Sequence, residues 1–294
     1  MKPVYKLLTA CLFVLASSNV YAQADTSDNQ ASFQIGINFI NNNVYLGRPD
    51  SVSTPSISPK IKYTFKSGLY FSGEVNYITN KKSSKLDGGN IEAGYDYTTP
   101  ENFEAGASIT KLFYNATSTQ VSSALSTIVN AYADYDIVGI VTPGISASYI
   151  FNKSGNKNDI LFNLHISHEF EFESIFGDDD DLTITPQAGL NAGSQNFYAG
   201  YQERKGKLNR KANAAITAYD NQLGDFKLLN YELSAPLEYA TGRFVFNFTP
   251  TYAFTQNSLP QSTLAEQAIT KALENASPYK PSIFYFEVGV SLKF

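Results

Sequence analysis

Tryptophan is absent from the 294 residues, and cysteine and methionine occur once each. The one cysteine, Cys11, falls in an apolar amino-terminal stretch. With that stretch removed the chain has no thiol, which excludes disulfides, thiolate metal sites and a cysteine nucleophile. Charge is scarce as well: 17% of residues are Asp, Glu, Lys or Arg, and the net charge of −5 argues against nucleic acid as a partner. Past the amino terminus no stretch approaches about 18 uninterrupted apolar residues, which excludes a helical membrane protein. Gly-rich phosphate loops, zinc-ligand spacings and a Ser-His-Asp order are missing, so neither a cofactor nor a metal is implied.

What the chain does have is aromatic residues, 21 Phe and 20 Tyr, at a mean hydropathy of −0.21. Its first residues carry Lys2 and Lys6, then the apolar run Leu7–Ala16, then Val20-Tyr21-Ala22 with small residues at the −3 and −1 positions of a cleavage site. This is the pattern of a secretory signal over 1–22, too short to span a bilayer. A cut after Ala24 is the close alternative. Leu8-Thr9-Ala10-Cys11 fits a lipobox by letters, but a cut there would leave almost no apolar segment. A short lead over 23–31 would follow, and then one domain over 32–294.

That domain is written with a period of two. Ser282–Phe294 places Phe284, Phe286, Val288, Val290, Leu292 and Phe294 on one parity and Glu287, Gly289, Ser291 and Lys293 on the other. This is a strand with one apolar and one polar face. Eleven further stretches alternate in the same way: Ser32–Ile40, Ser56–Lys66, Leu69–Thr79, Gly89–Thr98, Asn102–Tyr114, Ile128–Val138, Thr142–Phe151, Asp159–Glu173, Leu182–Ala192, Lys227–Ala240 and Gly242–Thr255. The Ile128–Val138 pattern is the weakest. A closed barrel is the remaining way to cross lipid, because it pairs every backbone polar group internally while only its outer face must be apolar.

With its amphipathic last strand and Phe294, the chain resembles the bacterial outer-membrane β-barrels. The resemblance implies a lipid-immersed barrel bordered by lipopolysaccharide, with Phe294 read by the barrel-assembly machinery. The expected fold is all-β: a single closed antiparallel transmembrane barrel of about twelve strands, with ten or fourteen as the other counts. Connections alternate in length, from Ser67-Gly68, Pro100-Glu101 and Thr241-Gly242 to Asn41–Pro55, Asn80–Gly88, Asn115–Thr127, Gly193–Phe226 and Gln256–Pro281. That alternation predicts one short-turn rim and one long-loop, extracellular rim. Asn152–Asn158 and Ile175–Asp181 fit it less well. Ser262–Ala276 and, more weakly, Lys211–Tyr219 show helical spacing and read as packed surface loops or as short helices over the mouth, and a strand pair hidden in SQNFYAGYQ would change the count.

The polar parity faces the lumen. It carries Glu74, Glu92, Asp96, Glu104, Asp134, Asp136, Glu169, Glu171, Glu232, Glu238 and Glu287, against the basic Lys60, Lys62, Arg243 and Lys293. A wet lumen would then favour cations over anions, whereas mutual pairing of these charges would plug it. The leading expectation is a porin-like channel for passive diffusion of small hydrophilic or cationic solutes, with no enzymatic step. Its alternative is a closed structural or adhesive barrel that binds a partner through its loops. A third reading uses His165-Ile166-Ser167, which echoes the His-x-Ser of outer-membrane phospholipases and lipid A deacylases. Here His168-Glu169 replaces the Asn that follows the Ser in those families. His168 sits on the outward parity. The run Asp178–Asp181 reads as a solvated turn, and Arg204, Lys205, Lys207, Arg210 and Lys211 as a soluble basic loop.

Overall fold

The computed structural model describes residues 31–50, 53–81, 85–99, 102–153, 157–204, 221–256 and 280–294. The signal segment, Lys211–Tyr219 and Ser262–Ala276 lie outside them, as does most of the basic loop. Twelve strands follow one another up and down: β1 Ser32–Ile40, β2 Ser56–Thr64, β3 Leu69–Ile78, β4 Leu86–Thr98, β5 Phe103–Tyr114, β6 Leu125–Tyr135, β7 Thr142–Asn152, β8 Asp159–Ser167 with Phe170–Glu173, β9 Asp180–Ile184 with Gln187–Gly193, β10 Lys227–Ser234 with Leu237–Thr241, β11 Phe244–Thr255 and β12 Ser282–Lys293. Each pairs antiparallel with the next. β12 returns to β1, with Ile35 opposite Leu292 and Phe39 opposite Val288. The cylinder therefore closes, and Phe33 and Phe294 exchange backbone hydrogen bonds of 2.9 and 2.8 Å at its seam.

Closure explains the surface. Ile61, Ile91, Phe113 and Phe284 stand 51%, 57%, 51% and 53% exposed, which only a lipid environment tolerates as a continuous band. Aromatic rings gather toward both rims, as Tyr63 against Phe65 at 4.7 Å on the turn side and Tyr149 against Phe151 at 4.9 Å on the loop side. Such girdles suit the bilayer–water boundary, where an apolar ring with a polar tip is well placed.

Strands β8, β9 and β10 are each interrupted, and the cause is proline. Pro186, Pro236 and Pro250 step across β9, β10 and β11. Having no N–H, none can complete its rung, and each carbonyl instead accepts from the neighbouring strand: His168 donates to Pro186 at 3.2 Å, Thr185 to Pro236 at 2.9 Å and Ala235 to Pro250 at 3.2 Å.

The loop rim carries a small core of its own. Residues 44–49 form a two-residue-per-strand hairpin, Val121–Ala124 a single 3-10 turn, and Asn196–Arg204 a helix, α1. Phe197 and Tyr198 of α1 pack with Val121, Leu125 and Ile150, while Leu112, Ile128 and Leu161 point up from the inner wall against them. The residues SQNFYAGYQ thus supply a helix and not a hidden strand pair, and the count stays at twelve. Its apolar side chains are buried by the mouth, not by a sheet.

Three buried aspartates hold this cap. Asp159 accepts from the Asn196 and Phe197 N–H groups at 2.7 and 2.8 Å, the Ser194 hydroxyl at 2.6 Å and Asn152 Nδ2 at 2.6 Å. It satisfies the free donors at the start of α1 from another strand. Asp50 accepts from the Val121 N–H at 2.7 Å and from the Thr54 hydroxyl. Asp87 takes the Ser118 hydroxyl at 2.5 Å and the Lys81 ammonium. Burial under the cap, with Asp159 and Tyr114 close by, pushes the Tyr45 phenol well above its ordinary range.

Two readings of the sequence need correction. Leu229, on the outward parity, is fully buried, because a bulge opposite Asn191 and Ala192 turns it inward. Asp180 is not a solvated acid. It is 3% exposed and accepts from the Ile175 and Phe176 N–H groups at 2.7 and 3.0 Å and from the Tyr239 hydroxyl at 2.8 Å, so it fixes the β8–β9 turn. Asp159→Ala should free the start of α1 at a cost of about 1–2 kcal/mol to the cap. Amide exchange over 196–204 should accelerate while the strand amides of β1–β4 stay protected; unchanged exchange in α1 would remove Asp159 from this role.

Candidate functional site: the lumen wall

Inward side chains sit in rows across the ladder, and glycine decides where large ones fit. Tyr70 lies directly opposite Gly94, Tyr132 opposite Gly106, and His165 opposite Gly144. In each case a Cβ on the glycine would run into that neighbour's side chain. The missing methyl groups let two phenols and an imidazole lie against the wall instead of filling the bore.

Polar contacts tie these groups together. The Tyr70 hydroxyl donates to Glu92 at 2.8 Å, and Thr110 donates to the other oxygen of the same carboxylate at 2.6 Å. The Tyr132 hydroxyl donates to Asp96 at 3.0 Å. The Lys62 ammonium is 3.8 Å from Asp96 and 4.1 Å from the centre of the Tyr70 ring. Lys60 stands opposite Glu74 in the ladder. Asn38 donates to Glu287 at 2.9 Å, and Asn230 to Glu232 at 2.7 Å. On this side of the barrel the acids are therefore matched by Lys, Tyr, Thr or Asn. Glu238 sits lower, between Thr183 and Asn247. Lys293 is exposed at the turn rim. Arg243 does not join the lumen wall: it lies in the β10–β11 turn with its guanidinium carbon 5.5 Å from the Phe294 ring centre, serving the rim. The tightness of that turn, with Gly242 at φ +56°, leaves its long side chain at the edge.

The other side is different. Glu104 of β5 stands directly opposite Asp134 of β6, two like charges in one rung. Such a pair costs stability, and it recurs where function demands it. Across Gly144, Asp134 meets His165, whose Nε2 is 3.0 Å from the carboxylate, while Nδ1 lies 3.2 Å from Asn163 Oδ1. Together with Asp136, Glu169, Glu171, Ser167 and His168, these groups line a polar recess of about 500 Å³ at the turn rim. Asp136 also accepts from the Gly139 N–H at 3.0 Å, which shapes the turn beside it.

The same geometry weighs against acyl transfer. The Ser167 hydroxyl donates to the Thr142 carbonyl at 3.4 Å, and the imidazole of His165 is engaged by Asp134 and Asn163. A serine nucleophile needs its base within hydrogen-bond reach, and these contacts direct the two groups elsewhere. His168 packs edge-on against Phe170, ring centres 4.2 Å apart. Sequence parity passed over the glycine seats and the buried aspartates Asp50, Asp87 and Asp159. The seats had a signal, since Gly94, Gly106 and Gly144 all fall on the inward parity.

No family model matches the sequence, and a search of curated proteins finds no match. Among solved structures the chain is similar to the KdgM porin, at 10% identity and a TM-score of 0.46, covering 89% of this chain and 99% of that one. It is similar to an outer membrane channel from Pseudomonas putida F1 at 10% identity and a TM-score of 0.45, covering 92% and 100%. For the NanC porin the figures are 11%, 0.43, 89% and 100%. Likenesses at this level leave the function to be read from the lumen.

Gly144→Ala should push His165 and Asp134 apart and destabilise the barrel by about 1–3 kcal/mol. In a His165→Ala background the same change should cost less, since the Asp134 carboxylate, which the added Cβ also meets, can then swing into the space the imidazole leaves. A double-mutant cycle on urea unfolding checks this; equal costs in both backgrounds would mean that the seat is not filled by the imidazole.

Proposed function

We propose that this barrel resides in a bacterial outer membrane and passes small hydrophilic, cationic solutes by passive diffusion. The observation that carries the reading is the recess at the turn rim, where the opposed Glu104 and Asp134 are joined by Asp136, Glu169 and Glu171 and, among the described residues, no Lys or Arg lines the wall. Carboxylates gathered in a concave, partly desolvated wall concentrate cations and repel anions. A passing cation relieves the Glu104–Asp134 repulsion, which lowers its free energy there without any covalent step. The rest of the wall, where acids already have partners, offers weaker contacts from which the solute can leave. Selection is then by charge and width alone. Export through a cleaved signal and recognition of Phe294 by an assembly machinery belong to the same proposal.

A second reading, a closed structural or adhesive barrel, is favoured by the cap, where Phe197 and Tyr198 pack against Ile150, Leu112, Ile128 and Leu161 at the opposite rim.

Planar bilayers separate the two. Stepwise currents with a cation-to-anion permeability ratio well above one are expected. E104Q/E169Q/E171Q should bring that ratio toward one with little change in open-channel lifetime. A folded, heat-modifiable barrel that stays silent would decide for the closed reading. Deleting Phe294 should lower the yield of assembled barrel severalfold in cells while leaving refolding in detergent largely intact; equal yields would remove the assembly role.

A further inference from the structure

One stretch of the cylinder is not closed. The pairing of β7 with β8 ends at Thr142 opposite Ser167, yet β8 runs on for six residues to Glu173. Over Phe170–Glu173 its only strand neighbour is β9. On the other side, residues 136–141 curl on themselves through the Ile137–Val141 bridge. Phe170, Glu171, Phe172 and Glu173 are all exposed, the one strand segment of which this holds among the described residues. The acidic recess opens along this same border, lined by Gly139 and Thr142 on one side and Glu169 and Glu171 on the other.

We propose that this edge is a docking site for an extended, basic segment of a partner protein, which adds a strand beside β8 at the turn rim. An open edge offers a row of unpaired backbone N–H and C=O groups, the usual template for strand addition. The side chains select the occupant. Glu169, Glu171 and Glu173 recur at every second position, so a second copy of this edge laid beside it would set glutamate against glutamate. A segment with Lys or Arg at alternate positions meets them with opposite charge. Its intervening apolar residues then fall beside Phe170 and Phe172, each 45% exposed on the outward face. The Thr142–Ser167 pair, the last of the β7–β8 ladder, bounds the site at its upper end. The site stands on the open edge and does not require the lumen to conduct.

The test uses the full-length barrel in nanodiscs and short synthetic peptides. A peptide of alternating Lys and Val should bind and slow exchange of the Glu171 and Glu173 amides, which face the open edge while those of Phe170 and Phe172 face β9. E169Q/E171Q/E173Q should weaken it by about tenfold or more, and added salt should do the same. A Glu–Val peptide should not bind. The Lys–Val peptide with backbone N-methyl groups along one edge keeps its charge but cannot form the ladder, and it should lose both binding and protection. If the methylated peptide binds equally well, the contact is charge attraction alone and strand addition is overturned. If the Glu171 and Glu173 amides are already as protected as the barrel ladder in the free protein, the edge is covered and the proposal falls.

Discussion

Everything in this chain follows from where its backbone hydrogen bonds can go. In lipid no water is available to satisfy a stray N–H or carbonyl, so the wall must bond to itself through a full turn. The Phe33–Phe294 rungs and the β12–β1 register complete that turn. Once the ladder is closed, the side chains are sorted by the pleat, apolar outward and polar inward. The departures from closure are informative because each is expensive. Pro186, Pro236 and Pro250 remove donors along one diagonal, and the strand segments below that line end in an uncovered border beside β8 among the described residues.

Inside, the shape of the bore is set by residues that have no side chain. Gly94, Gly106 and Gly144 let Tyr70, Tyr132 and His165 lie flat, and a carboxylate then reaches each of these groups. Half of the wall has its acids matched in this way by hydrogen bonds and lysines. On the other half Glu104 and Asp134 share a rung and have one histidine beside them. The electrostatic asymmetry is therefore built into the pairing register and does not depend on the overall charge of the protein.

Much of this was legible in the sequence, and what was not has specific causes. Alternation located all twelve strands because the side-chain period of a strand is fixed at two. It misplaced Leu229 because one extra residue reverses parity, and nothing local announces a bulge. It read four aspartates as one solvated run, although Asp180 alone turns inward to bind its own turn and Tyr239, a partner 59 residues away. The segment SQNFYAGYQ gave no usable period, since α1 is held by Asp159 from a distant strand and not by its own amphipathicity. Which inward acids stay unmatched depends on cross-strand neighbours, and register is a property of pairs of segments that no single segment displays.

The apolar cluster beneath α1 differs in kind from the greasy band around the barrel. Outward Ile and Phe residues only exchange one hydrocarbon for another when they move within a bilayer, so expulsion of water contributes little to holding them in place. Phe197, Tyr198 and Ile150 are shielded from water itself, in the manner of a small soluble domain lodged in the mouth. Their association therefore weakens on cooling and in dilute urea, before the lipid-braced ladder gives way. The protein thus has two layers of stability with different solvents and different temperature dependences, and its mouth can loosen while its wall remains intact.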